Sequence, residues 1–281
     1  MAKKALLIGI NRYKIPGADL RGCVNDVENM KGVLTQMYGF TSKDVTVMTD
    51  FAATTKAMKA AMNKLVREAR SGDVVLLHYS GHGANVIDVN GDEPDRRDEI
   101  LCPTDLDWHK PLLDDWLRKT FNRLRAGVSL TVIMDCCHSG SNTRALLPPD
   151  APSIPRFLPN PLDIMESESG RKLRGTVRGS LRGSTAPKRK KSDVVDADIP
   201  ELLVTGCRDT QTSADAYIGG SYNGALTYCL VETLKAAGGT ISYRQLHQGT
   251  IKRLKQGGYD QVPQLEGRAA KFDRPFLAPE S

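Results

Sequence analysis

The chain has 281 residues, of which 40% are hydrophobic and 26% charged, enough to bury one large core or two small ones, and it carries a formal net charge of +6 at pH 7. Its first apolar run, residues 5–10, is too short for the core of a secretory leader, and no later run reaches membrane-spanning length, so a soluble cytoplasmic protein without a membrane partner is expected. The six cysteines (Cys23, Cys102, Cys136, Cys137, Cys207 and Cys229) lie mostly inside or beside apolar runs, unlike a secreted disulfide scaffold, which favours reduced thiols.

In chain order, "KALLIGI" (4–10) predicts a first buried strand and residues 24–38 a helix. "DVTVMT" (44–49) and "DVVLLHYS" (73–80) read as further strands, with a helical pattern over 55–70 between them. A helix over 112–125 around the acid pair Asp114 and Asp115 precedes the strand "SLTVIMD" (129–135). "ELLVTGC" (201–207) and a helix over 223–236 follow. Strands that are apolar on both faces suit a mostly parallel sheet covered by helices on each side, an α/β fold of three layers.

One long stretch breaks this alternation. Residues 148–199 begin proline-rich, and 170–191 hold Arg171, Lys172, Arg174, Arg178, Arg182, Lys188, Arg189, Lys190 and Lys191 with no acid. Without those nine, 30 basic residues face 33 acids, so the net basicity belongs to this one segment. Rich in Gly, Ser and Pro and poor in apolar side chains, it cannot offset the entropy of ordering, and a mobile loop is expected. Its "KRKK" run also admits a nucleic-acid patch or a targeting signal.

In parallel sheets, ligands bind beyond the carboxyl ends of the strands. The strand at 73–80 runs out into "SGHG", with His82 between two glycines, and the strand at 129–135 into Asp135, Cys136, Cys137 and His138. Two adjacent thiols admit a disulfide, a metal site or a nucleophile. A vicinal disulfide is strained, and a zinc site from His78, His82, Cys136 and Cys137 lacks the usual ligand spacing. A thiol facing an imidazole across neighbouring strands is an activated nucleophile. Alternation, carried past the strand end, puts Asp135 and Cys137 on one side and Cys136 on the other.

"HYSGHG" and "DCCHSGS", together with the early "LRGCVNDVENM" and the late "VTGCRDTQTSADA", resemble the metacaspases and their bacterial relatives the orthocaspases, among the caspase-like cysteine peptidases. The resemblance spans residues 4 to about 236 apart from the insert. It implies the caspase–haemoglobinase fold over 1–281 as one catalytic domain: a large region 1–147, a processing loop 148–199 and a small region 200–281. It also implies His82 as general base, Cys137 as nucleophile, and the Gly83 and Cys137 backbone N–H groups as oxyanion hole. Asp26 and Asp135 would bind an Arg or Lys side chain before the scissile bond, with Asp215 a third candidate for the pocket wall and Ser80 a further substrate contact.

A carboxylate pair matches a guanidinium in charge and in its bidentate fork. Protein or peptide substrates with Arg or Lys before the cut are therefore expected, and the resemblance implies a monomeric enzyme. The basic loop is itself a tethered substrate, so autocleavage is expected within 171–191. The resemblance also offers calcium ligands at Asp98, Asp114 and Asp115. Where some members carry a fourth acid, Arg144 stands instead, and a cation there weakens a divalent site. "DVNGDEPDRRDE" (88–99) mimics an EF-hand loop, but Glu93 replaces its turn glycine. The alternatives are a proteolytically silent caspase-like interaction module and nucleic-acid binding by the basic loop.

Overall fold

The computed structural model describes residues 1–88, 97–138, 153–162, 193–208 and 211–280. Strand β1 (Lys3–Gly9) buries Ala5 and Leu7 on one face and Leu6 and Ile8 on the other. Successive side chains of a strand point to opposite faces, so such a run needs cover on both sides. Helix α1 (Cys23–Met37), strand β2 (Val45–Thr49), helix α2 (Thr55–Glu68) and strand β3 (Val74–Ser80) follow. Strands β4 (Gly83–Ile87), β5 (Arg97–Leu101) and β6 (Leu112–Leu113) form a small antiparallel sheet. Helix α3 (Asp114–Phe121) then leads into strand β7 (Ser129–Asp135).

Beyond β7 come β8 (Ser153–Pro155), β9 (Val194–Asp196), β10 (Leu202–Thr205), β11 (Ala214–Ile218) and β12 (Ser221–Gly224). Helices α4 (Ala225–Ala236) and α5 (Tyr243–Gln256) and strand β13 (Gln264–Gly267) follow. Among the described residues the main sheet has seven strands in the order β2-β1-β3-β7-β10-β13-β9. Neighbours run parallel except β10 and β13. The register of β3 on β7 pairs Ser80 with Asp135, so the two functional strand ends finish side by side.

Helices α2 and α3 bury Met58, Met62, Leu65, Leu117 and Phe121 against Leu6, Ile8, Leu77 and Val132. On the other face α1, α4 and α5 bring Val27, Met30, Leu226, Leu230 and Leu246 against Leu7, Leu76, Ile133 and Val204. The three-layer α/β fold expected from the sequence is present. Helix starts follow local chemistry: Thr54 caps α2 by accepting from the Ala57 N–H, and α5 opens with a capping box between Ser242 and Gln245.

Three details differ from the sequence expectation. The helix expected over 112–125 covers only Asp114–Phe121, because Leu112 and Leu113 pair with β5. The one expected from 223 starts at Ala225, because Ser221–Gly224 is committed to the β11–β12 hairpin. The loop expected over 148–199 is not loop throughout: Ser153–Pro155 pairs with β11 and Val194–Asp196 with β13. The apolar side chains of Ile154, Phe157 and Leu158 are buried, and that burial supplies what the basic stretch lacks. Arg144 and the basic residues of 171–191 lie outside the described residues.

Candidate active site

His82 leaves β3 one residue past Gly81, and its place is fixed from several sides. Its backbone N–H donates to the Tyr13 hydroxyl (2.8 Å), its carbonyl accepts from the Tyr79 hydroxyl (2.7 Å), and its ring lies 5.0 Å from that of Tyr13. The ring Nε2 is 2.8 Å from the Ala18 carbonyl. A carbonyl oxygen only accepts, so Nε2 carries the proton in the neutral ring and Nδ1 is the basic nitrogen.

Cys136 and Cys137 part company beyond β7. Cys136 packs into the core beneath α2 and α3, whereas Cys137 clusters with Phe157 and Cys207. The Cys137 Sγ accepts from the Ser213 N–H, and all six cysteines are buried thiols. Burial pushes the Cys136 thiol well above its ordinary pKa, as an inert packing residue requires.

The four acidic and polar residues singled out for substrate binding meet around one side chain, and that side chain is the chain's own. Arg156, directly after β8, is wholly buried. Its Nη2 lies 2.8 Å from Asp26 Oδ2 and 3.0 Å from Asp215 Oδ1, while Nη1 lies 3.3 Å from Asp135 Oδ2 and donates to the Ser80 Oγ at 2.7 Å. Each carboxylate is oriented by further donors. Gly224 N–H reaches Asp26 (2.9 Å), Thr227 N–H and the Ser213 hydroxyl reach Asp135 (2.8 and 2.6 Å), and Gly22 N–H reaches Asp215 (2.9 Å).

Burial works against the charge on Arg156, but Asp135, Cys23, Asp26 and Asp215 outweigh it and hold the guanidinium pKa well above its ordinary value. Burial pushes the Asp26 carboxyl up to about 6; Arg156 opposes this and Asp135 adds to it.

The backbone of Arg156 is placed as closely as its side chain. Its carbonyl accepts from Gly83 N–H (3.0 Å) and Cys137 N–H (3.2 Å), and its own N–H donates to the Ser213 carbonyl (2.9 Å). Two converging N–H donors can hold negative charge developing on an oxygen. They come from the residue after His82 and from Cys137, so the ends of β3 and β7 converge on the same peptide unit. Gly83 permits the approach, since a Cβ there would collide with the Cys137 carbonyl.

A family model described as metacaspase, peptidase C14 domain, matches residues 3–145. Metacaspase-1A of Aspergillus fumigatus is 37% identical over 290 aligned positions, covering 94% of this chain and 68% of that protein. The chain belongs to the metacaspases. Metacaspase-1 of Coccidioides immitis is likewise 37% identical over 94% of this metacaspase, which spans 61% of the relative's length. Among solved structures, a protein of Geobacter sulfurreducens shares 29% identity at a TM-score of 0.70, with both chains fully covered. Caspase-1 of Spodoptera frugiperda, 13% identical with a TM-score of 0.56 and 95% and 90% of the two chains covered, shares the fold. The family is one of caspase-like cysteine peptidases, whose substrates are proteins.

Asp98, Asp114 and Asp115 do not join this constellation. Asp115 pairs with Lys119 at 3.0 Å, and burial raises the Asp114 pKa. Among the described residues, no three His, Cys, Asp or Glu side chains gather closely enough to hold a metal ion. A separate cavity of about 240 Å³ lies beside β7 and β10, lined by Cys136, His138, Thr205 and Cys207 among others. Among the acidic residues, Arg156 is wholly buried. No described helix is long and apolar enough to cross a membrane.

Sequence reasoning missed Arg156, Ser213 and Gly224. Arg156 is the single basic residue between Arg144 and Arg171, set among prolines and apolar side chains in "SIPRFLP", and that setting was the available signal. At Gly224 a Cβ would collide with the Asp135 carboxylate and the Arg156 guanidinium.

Proposed function

We propose that this metacaspase is a cysteine endopeptidase that cleaves after Arg, and less readily after Lys, through a Cys137–His82 dyad. The observation that carries it is one residue fixed at both ends: a guanidinium held by Asp26, Asp135 and Asp215, with its carbonyl between the N–H groups of Gly83 and Cys137. His82 Nδ1 takes the thiol proton, and the Cys137 thiolate attacks the carbonyl carbon of the residue in the pocket. The oxyanion is held by Gly83 and Cys137, the amine leaves with the proton from His82, and water then hydrolyses the thioester. Self-processing within the basic segment 171–191 follows from the same side-chain preference applied to a tethered substrate. The reading includes a monomer, and a cytoplasmic site would keep the six buried thiols reduced.

Among the described residues, all five guanidinium contacts of 3.3 Å or less use Nη1 and Nη2, and Nε has no hydrogen-bond partner. A lysine ammonium, roughly one bond shorter in reach, falls short of that arrangement. The test is hydrolysis of matched fluorogenic peptides ending in Arg, Lys or Asp by the wild type and by Cys137→Ala, with chelator or added calcium. Turnover after Arg that vanishes in the variant is expected. Turnover after Asp, or Arg cleavage that survives Cys137→Ala, would overturn the assignment.

A further inference from the structure

Residues 153–158 lie along the site as a substrate would. Ser153, Ile154 and Pro155 pair antiparallel with Ala216, Asp215 and Ala214 of β11, the edge addition by which extended peptides commonly dock on a sheet. Arg156 extends the ladder through its N–H to the Ser213 carbonyl. Beyond the carbonyl held by Gly83 and Cys137, Phe157 packs beside Cys137 and Cys207, and the Leu158 N–H donates to the Gly83 carbonyl at 2.9 Å. Backbone contacts therefore grip the chain on both sides of a single bond, Arg156–Phe157.

We infer that 153–158 is an internal substrate, that Arg156–Phe157 is the first bond this metacaspase cuts, and that until then the segment keeps other substrates out. This rests on the Arg-directed peptidase reading above and names the bond at which that activity begins. The order follows from positioning. A basic residue of 171–191 must displace Arg156 from three carboxylates before it can enter, whereas Arg156 is already seated. Eighteen residues separate it from Cys137, so the reaction is intramolecular.

In the step itself, the Cys137 sulfur bonds to the Arg156 carbonyl carbon and the bond to the Phe157 nitrogen breaks. The thiol proton travels through His82 to that nitrogen. Water then attacks the thioester, leaving a carboxylate on Arg156, a free amine on Phe157 and the thiol restored.

The test follows the full chain from the moment of cell-free synthesis, mapping new termini by mass spectrometry while an Arg-terminated fluorogenic peptide reports turnover. The wild type should first show a C-terminus at Arg156 and an N-terminus at Phe157, at a rate unchanged by dilution, with peptide turnover lagging until that cut. Cys137→Ala should stay whole. Arg156→Gln should lose the cut and turn the peptide over without a lag, about tenfold faster at the start than the uncut wild type if the segment fills the groove nine-tenths of the time. A first cut within 171–191, with 156–157 intact and Arg peptides still hydrolysed, would overturn the inference and leave the peptidase reading standing. No Arg-peptide turnover by the wild type or by Arg156→Gln would remove both. The wild-type terminus map decides the order of cuts even if Arg156→Gln fails to fold.

Discussion

Replacing Asp26 by asparagine separates a binding role from a structural one. The amide keeps the shape and still accepts a hydrogen bond from Gly224 N–H, but it removes one of the three charges facing the guanidinium. Truncating one partner of a buried, hydrogen-bonded charge pair costs about 2–5 kcal/mol. With two carboxylates remaining, the low end applies, and kcat/KM for an Arg substrate should fall roughly 30-fold at about 1.4 kcal/mol per decade. Stability should move the other way. A carboxyl raised from its ordinary 3.8 to about 6 disfavours its own charge in the fold. A raised folded pKa adds stability below the unfolded value that is lost as pH rises through about 6, so at pH 8 the Asp26→Asn protein is free of a burden that the wild type carries.

The same raised value gives a second readout. Asp26 pairs with a guanidinium as a carboxylate, so where the raised carboxyl is protonated, guanidinium binding must expel a proton. Wild-type kcat/KM should therefore fall as pH drops through and below neutrality, and the Asp26→Asn profile should be flatter over that range. The assay is kcat/KM against pH for both proteins, with urea unfolding at pH 8. An Asp26→Asn enzyme within threefold of wild type, or one that is several kcal/mol less stable at pH 8, would refute the reasoning.

Three more outcomes follow from the geometry. Cys137→Ala should abolish turnover, whereas Cys136→Ala should retain it and lower stability by about 1–3 kcal/mol through a small core void, readable by denaturant unfolding. Gly224→Ala should fold but reject Arg substrates, because its Cβ occupies the space of the guanidinium; an unchanged KM for Arg peptides would contradict this. Matched peptides should show Arg over Lys by about tenfold or more, the value of one mismatched polar contact in a buried site, and parity would mean that the pocket closes around shorter side chains.

The fold was legible where burial is two-sided. β1, β3 and β7 are continuous apolar runs, and their ends place "SGHG" and "DCCH" together through a register that any parallel β3–β7 pairing produces. Alternation past Asp135 separated the two thiols for the same reason. The short pieces were not legible. β8 and β9 are three residues each and owe their form to partners far along the chain, β11 and β13. Helix α5 carried a readable signal in Ser242 and Gln245, but few apolar side chains to strengthen it. Asp26, Asp135 and Asp215 were found through motif likeness. Arg156 went unread because composition marked its surroundings as irregular, and its burial depends on carboxylates up to 130 residues away.

The boundary between β7 and β10 runs through the middle of the main sheet. A cut at Arg156 leaves β1, β2, β3 and β7 on one piece and β9, β10 and β13 on the other, joined by the Thr131–Leu202 to Met134–Thr205 register and by a shared core of Leu76, Ile133, Val204 and Leu230. Unfolding is then a dissociation, and its midpoint acquires a dependence on concentration that the uncut chain lacks. Each tenfold dilution withdraws about 1.4 kcal/mol from the cut form and nothing from the intact one. The cut thus changes the molecularity of the fold: an enzyme assembled by one chain folding once becomes a heterodimer whose lifetime after release into a larger volume is set by how rarely its halves meet again.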